Sequence, residues 1–152
     1  MNYASVKIEN WIIEKSFAIL SGRLREATIS ISSAKLVEHY LLHKLILEER
    51  EIFGALWLDV KNRLIACEEI AHGTLTQVRV FPREILKSAL KHNAAKVIFF
   101  HNHPSGEVTP SPKDKLMTSD MKQLLKLIDV QLEDHIIVAG TQARSFARHG
   151  DI

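Results

Sequence analysis

The tightest constraint on this chain is an apolar run that ends in two histidines. AKVIFF (95–100) passes directly into HNHPSGEVTPSPKD (101–114). A run of this length, followed at once by turn formers, is expected to be a buried strand. Side chains alternate along extended chain, so His101 and His103 point to the same side, whereas adjacent histidines would diverge. The two can therefore converge on one ion. Neutral imidazole nitrogen is a good zinc ligand. Asp114, in the first turn of an expected helix, would complete a three-ligand set and leave a fourth position for water, the pattern of catalytic rather than structural zinc. Pro104, Gly106, Pro110 and Pro112 punctuate the intervening loop. The prolines narrow its unfolded ensemble and the glycine permits a sharp reversal. Two plainer alternatives stand beside this one. Histidines in a polar loop are often only solvated, and Ser111-Pro112-Lys113-Asp114 is close to a capping box.

The 152 residues suit one domain, or one domain with a short appendage. With 46% hydrophobic and 25% charged residues, the chain has the proportions of a soluble globular protein with one sizeable core. No apolar run approaches the roughly 20 residues that span a bilayer, so no membrane association is expected. The start MNYASVKIENWIIEKS has no secretory-signal pattern, which makes the cytoplasm the expected location. Cys67 is the only cysteine, so an intrachain disulfide and a cysteine-based zinc site are both excluded. A net charge of +2, with basic residues scattered rather than clustered, lends no support to nucleic-acid binding.

Residues 1–29 are expected to be a short helical extension, with Trp11, Ile12, Ile13, Phe17 and Leu20 at helical spacing and an end at Ser21-Gly22. ATISISS (27–33) alternates briefly, and Ser32 or Ser33 would then cap a helix over 34–46 striped by Leu36, Val37, Tyr40, Leu41 and Leu45. From residue 30 onward one domain is expected. A strand over 52–60, a turn at 61–63 and a returning strand over 64–71 form a hairpin. Residues 77–80 would add a third strand. Pro82 opens a helix over 83–92 with Ile85, Leu86, Ala89 and Leu90 facing inward. After the histidine loop, Ser111-Pro112 starts a helix striped by Met117, Met121, Leu124, Leu125 and Ile128. Short strands over 130–138 and 143–147 finish the sheet. Strands alternating with helices and hairpins give an α/β fold (α+β mixed), a central mixed sheet flanked by helices.

HNHPSGEVTPSPKD is similar to the JAMM signature of the JAB/MPN+ metalloprotease family: H-x-H, ten residues, then D, ending in P-S-x-x-D. HNHPSG, with PREILKSALKHNAAKVIF before it and DHIIV after it, resembles the RadC branch, and the likeness extends over about 29–152. The resemblance implies the JAB/MPN (cytidine-deaminase-like) architecture and a zinc-dependent amide hydrolase, with one zinc per chain held by His101, His103 and Asp114. Glu51, just before IFGALWLD, matches the family's upstream glutamate. Pattern alone does not choose it over Glu48, Glu49, Glu68 or Glu69. Ser111 matches the serine that helps to hold the tetrahedral intermediate. The implied chemistry is hydrolysis of a peptide or isopeptide, with Glu51 carrying the proton and Ser111 donating to the oxyanion.

Other residues are read as structural. His135 is taken as a satisfied structural histidine, an Asp134–His135 pair orienting a ligand from behind being the alternative. His39, His43, His72, His92 and His149 lack ligand spacing, Cys67 is expected to be a buried inert thiol, and Trp11 and Trp57 to lie in a core or interface. Two other functions stay open: a DNA-repair-associated or DNA-processing accessory protein with a metal site, and a catalytically silent scaffold. The longer relatives of the RadC type carry an N-terminal helix-hairpin-helix region, for which the first 30 residues are too few. A homo-oligomer is also left open.

Overall fold

A computed structural model describes residues 3–25, 34–74 and 78–152. Among the described residues, five strands form one mixed sheet: β1 (Ile52–Leu58), β2 (Leu64–His72), β3 (Lys96–Asn102), β4 (Gln131–Ala139) and β5 (Gln142–Ser145). Their spatial order is β2-β1-β3-β4-β5, antiparallel throughout except for the parallel β3–β4 pair. The helices are α1 (Tyr3–Arg25), α2 (Ala34–Leu45), α3 (Pro82–Lys91), α4 (Pro112–Lys126) and the single-turn α5 (Phe146–His149). The expected α/β class, a mixed sheet flanked by helices, is what forms.

The near-continuous apolar sequence of β1 and β3 follows from burial on both faces. Phe53, Ala55 and Trp57 of β1 and Val97 and Phe99 of β3 face α3 and α4, packing with Ile85, Ala89, Met121 and Leu125. Ile52, Leu56, Ile98 and Phe100 face the other way, onto Val37, Tyr40, Leu41 and Leu45 of α2, with Phe17 and Leu20 of α1 against the margin. Gly54 permits this close packing: a Cβ there would lie 2.2 Å from the Phe100 ring and 2.6 Å from the Glu68 carbonyl oxygen. Asp59 turns the hairpin. Its carboxylate accepts from the backbone N–H groups of Lys61 and Arg63 at 2.8 and 2.9 Å, and Asn62 takes the left-handed conformation the turn requires.

Several boundaries differ from expectation. α1 continues through Ser21-Gly22 to Arg25, since a helix of this length absorbs the ~0.5–1 kcal/mol that an interior glycine costs. Its Trp11 and Ile12 face solvent rather than a core, and Lys15 lies over the Trp11 ring. β1 stops at Leu58, leaving Val60 exposed in the turn. Residues 78–80 form no strand. Val78 instead inserts into the core beneath α3 and α4, and the chain then enters the Pro82 helix. On α3 the inward positions are Ile85, Ser88 and Ala89, while Leu90 is exposed. β5 ends at Ser145, whose hydroxyl caps α5 by accepting from Arg148 N–H, so 146–147 are helical. Cys67 is half-buried rather than fully buried. The run 27–33, the Ser32 or Ser33 cap and residue 77 lie outside the described residues.

Candidate metal centre

β3 runs two residues further than its apolar core and carries His101 within the sheet. His103, just beyond it, stays tied to β4 through its N–H and the Val138 carbonyl at 2.8 Å. Alternation does what the spacing predicts: the two Nε2 atoms meet at 2.8 Å. Asp114 reaches both rings from the first turn of α4, with Oδ1 at 3.5 Å from His101 Nε2 and Oδ2 at 3.4 Å from His103 Nε2. The same residue completes a capping box. Ser111 Oγ accepts from Asp114 N–H at 3.1 Å, and Asp114 Oδ2 accepts from Ser111 N–H at 2.8 Å. The cap and the histidine contacts coexist, because one carboxylate has lone pairs for both.

Glu51 arrives from the other side of the sheet's end. The register pairs Phe53 of β1 with His101 of β3, and its continuation by two residues brings Glu51 alongside His103. Its backbone is fixed by hydrogen bonds to Thr74 and Gly73 at 2.9 and 2.7 Å. One ligand atom each from Glu51, His101 and His103 lies within 4.8 Å of the others. Asn102, which the sequence reading passed over, points to the opposite face from the two histidines. It clamps the segment carrying Glu51: its Oδ1 accepts from Ile52 N–H at 2.7 Å and its Nδ2 donates to the Arg50 carbonyl at 2.9 Å.

The donor chemistry fits a divalent cation. His103 donates Nδ1–H to the Glu107 carbonyl at 2.7 Å. A carbonyl only accepts, so the neutral ring keeps its lone pair on Nε2, aimed at the other Nε2. Something positive, a proton or a cation, must lie between the two nitrogens. Two imidazole nitrogens with carboxylate oxygens beside them suit zinc.

The electrostatics separate the two carboxylates. Burial opposes the Asp114 charge, yet the contacts with His101 and His103 outweigh it and hold the carboxyl well below the usual carboxylate range. In return, the Asp114 contact raises His103 against its own burial. For Glu51 burial wins over the pull of the same histidines, and its carboxyl is pushed up. Behind the site, total burial and then the neighbouring His101 drive His135 far below the ordinary histidine range, so that it stays neutral.

Glu51, Ser111, Asp114 and both ligand-spaced histidines line one cavity of about 450 Å³, whose apolar wall includes Val78, Val80 and Met117. His135 is structural in the sense expected, buried and satisfied, but it also touches His101, at 2.8 Å. Asp134 does not bond its ring. It accepts from Ser145 Oγ and from Ala147 N–H at 2.6 and 2.9 Å, holding α5 in place. Among the described residues no helix is long and apolar enough to cross a membrane.

Known proteins resemble this chain along most of its length. The family model of the RadC-like JAB domain matches residues 31–151. A UPF0758 protein of Janthinobacterium sp. (strain Marseille) is 53% identical over 141 residues, which cover 93% of this chain and 62% of that protein. The UPF0758 protein YeeS of Escherichia coli (strain K12) is 43% identical over 142 residues, covering 93% of this chain and 96% of its own length. YkfG of the same strain is 44% identical over 139 residues, 91% and 88% of the two chains. The chain thus spans about three fifths of its longer relative from Janthinobacterium and nearly all of YeeS. With the family model covering 31–151, the chain belongs to the RadC-like JAB domain family.

Proposed function

We propose that this chain is a zinc-dependent amide hydrolase of the metallopeptidase or isopeptidase type, with His101, His103 and Asp114 holding the ion and Glu51 carrying the proton. The observation that carries the proposal is the convergence of Glu51, His101 and His103 within 4.8 Å at one cavity. Asp114 is assigned as the third ligand because its two oxygens face the two Nε2 atoms and its carboxyl is held ionised. Glu51 has the opposite character. Its carboxyl is raised toward protonation by burial, which suits a group that takes a proton and returns it.

When bound, zinc would supply Lewis acidity, polarising a scissile carbonyl and lowering the pKa of water from ~15.7 to about 7. Glu51 accepts a proton from the attacking water and delivers it to the departing amine. Ser111 Oγ, which already accepts from Asp114 N–H, has its own proton to donate toward the carbonyl oxygen as charge builds there. The wall of Val78, Val80 and Met117 excludes water on one side and accommodates an apolar part of a peptide or isopeptide substrate. Among the described lining residues Glu51, Glu107 and Asp114 stand beside Arg79 and Lys113, a mixed charge that gives no support to phosphate-backbone binding.

The test is a screen of peptide and isopeptide substrates with the zinc-loaded protein and its Glu51→Gln variant. The variant is expected to keep zinc and to lose about 10²–10⁴-fold in kcat, the usual worth of a positioned proton carrier. Equal activity in the two proteins removes Glu51 from the chemistry.

A further inference from the structure

We propose that Thr118 and His135 are positioning residues that fix the ring proton of His101 on Nδ1, so that its Nε2 lone pair faces the cavity. The proposal rests on His101 being a metal ligand and extends the site into α4 and β4.

A single group at the end of a hydrogen-bonded chain sets the direction of every bond in it. Thr118 Oγ1 lies 2.6 Å from the backbone carbonyl of Asp114 and 2.7 Å from His135 Nδ1. The carbonyl can only accept, and the hydroxyl has one proton, so that proton points to Asp114. Thr118 must then accept from His135, whose ring proton therefore sits on Nδ1. A neutral imidazole has only one such proton, so His135 Nε2 is an acceptor. It lies 2.8 Å from His101 Nδ1, which must donate to it. His101 Nε2 is left with a lone pair, 2.8 Å from His103 Nε2. The reverse direction would place two oxygens 2.6 Å apart with no proton between them.

Two further features agree. His103 reaches the same protonation state by a shorter route, through the Glu107 carbonyl. The His135 ring is also held against rotation, with Phe53 and Phe99 edge-on at 5.8 and 6.0 Å and Phe146 stacked at 4.6 Å. Asp134 secures that stack by binding α5, the helix that carries Phe146. The relay also closes on itself. Asp114 anchors it through its backbone carbonyl and meets its far end through its carboxylate, 3.5 Å from His101 Nε2. An orienting partner behind a metal-binding histidine commonly accounts for a 10–100-fold change in metal affinity.

The experiment uses ¹⁵N-labelled full chain, metal-free and then titrated with zinc chloride, as wild type, Thr118→Val and Thr118→Ser. Valine keeps the shape and removes the hydroxyl, while serine restores it. In metal-free wild type, long-range ¹H–¹⁵N spectra should show His101 and His135 both protonated at Nδ1. Thr118→Val should weaken zinc binding about 10–100-fold and mix the two ring forms, and Thr118→Ser should recover both readouts. A His101 ring with no proton on Nδ1 in the metal-free wild type overturns the proposal, as does a Thr118→Val affinity within about twofold of wild type. If the wild type takes up no zinc, the metal assignment fails. The ring forms in the metal-free protein then still decide the relay, a proton on His101 Nδ1 supporting it and its absence there overturning it.

Discussion

Two histidine–carboxylate clusters sit on the same face of the sheet, at opposite ends of β1. At one end Phe53 lies beside His101 and His135, with ring centroids 6.4 and 5.8 Å apart. At the other, Trp57 stacks on His92 at 6.3 Å, above Glu68 of β2. The residue types are alike but the proton bookkeeping is opposite. Glu68 Oε2 is surrounded by donors: Trp57 Nε1 at 3.2 Å, His92 Nε2 at 3.0 Å and the Ser88 hydroxyl. Its lone pairs are used up within the protein, and the result is a clasp between β1, β2 and α3. Around His101 and His103 the acceptors converge on one another instead, with lone pairs facing lone pairs and two carboxylates alongside. A centre of that kind is satisfied only by something positive, a proton or a cation, placed between the two rings. Whether a cluster is structural or ligand-binding thus turns on which atoms carry the hydrogens.

The contrast can be broken experimentally. The largest expected effect on stability is at the clasp. Trp57→Ala removes a fully buried ring and should cost about 3–5 kcal/mol in denaturant unfolding, while each folded chain keeps its zinc. Loss of zinc from folded Trp57→Ala would show that the two ends of β1 are not independent. The metal end should respond to its ligand alone. Zinc at about 100 times its Kd should stabilise wild type by about 2.7 kcal/mol and leave Glu68→Gln with the same increment.

The smallest effect concerns pH. Burial works against the Glu68 charge, but hydrogen bonds from Ser88, His92 and Trp57 outweigh it and hold the carboxyl below its ordinary range. A lowered folded-state pKa means that the carboxylate contributes stability above the unfolded value, near 4.3, and that this is lost as pH falls through the lower folded value. Glu68→Gln should therefore cost about 1–3 kcal/mol at pH 7. The gap to wild type should narrow in acid. A gap independent of pH would mean that the charge contributes nothing.

Much of this was legible because it is local. Alternation placed His101 and His103 together, apolar runs marked β1 and β3, and Ser111-Pro112 marked the start of α4. What was illegible depends on register between distant segments. Glu51 has acidic neighbours of equal local merit, and only the antiparallel pairing of Phe53 with His101 singles it out; the family resemblance pointed to it where pattern could not. Asn102 sits in plain view between the two histidines. Its role required knowing that Ile52 and Arg50 lie within its reach across the strand pair. His135 and Thr118 are 17 residues apart and meet only because α4 packs over β4. Trp11 is exposed in the single chain, which leaves the interface half of its expectation open, because helical spacing shows that a face is apolar without showing what covers it.

The most direct test of the central claim is a zinc titration of the metal-free protein alongside His103→Ala and His92→Ala, read as bound zinc per folded chain. The convergence of acceptors at one cluster and their saturation at the other predict about one zinc for wild type and for His92→Ala, and none for His103→Ala. Zinc retained by His103→Ala, or lost by His92→Ala with the fold intact, would contradict the assignment.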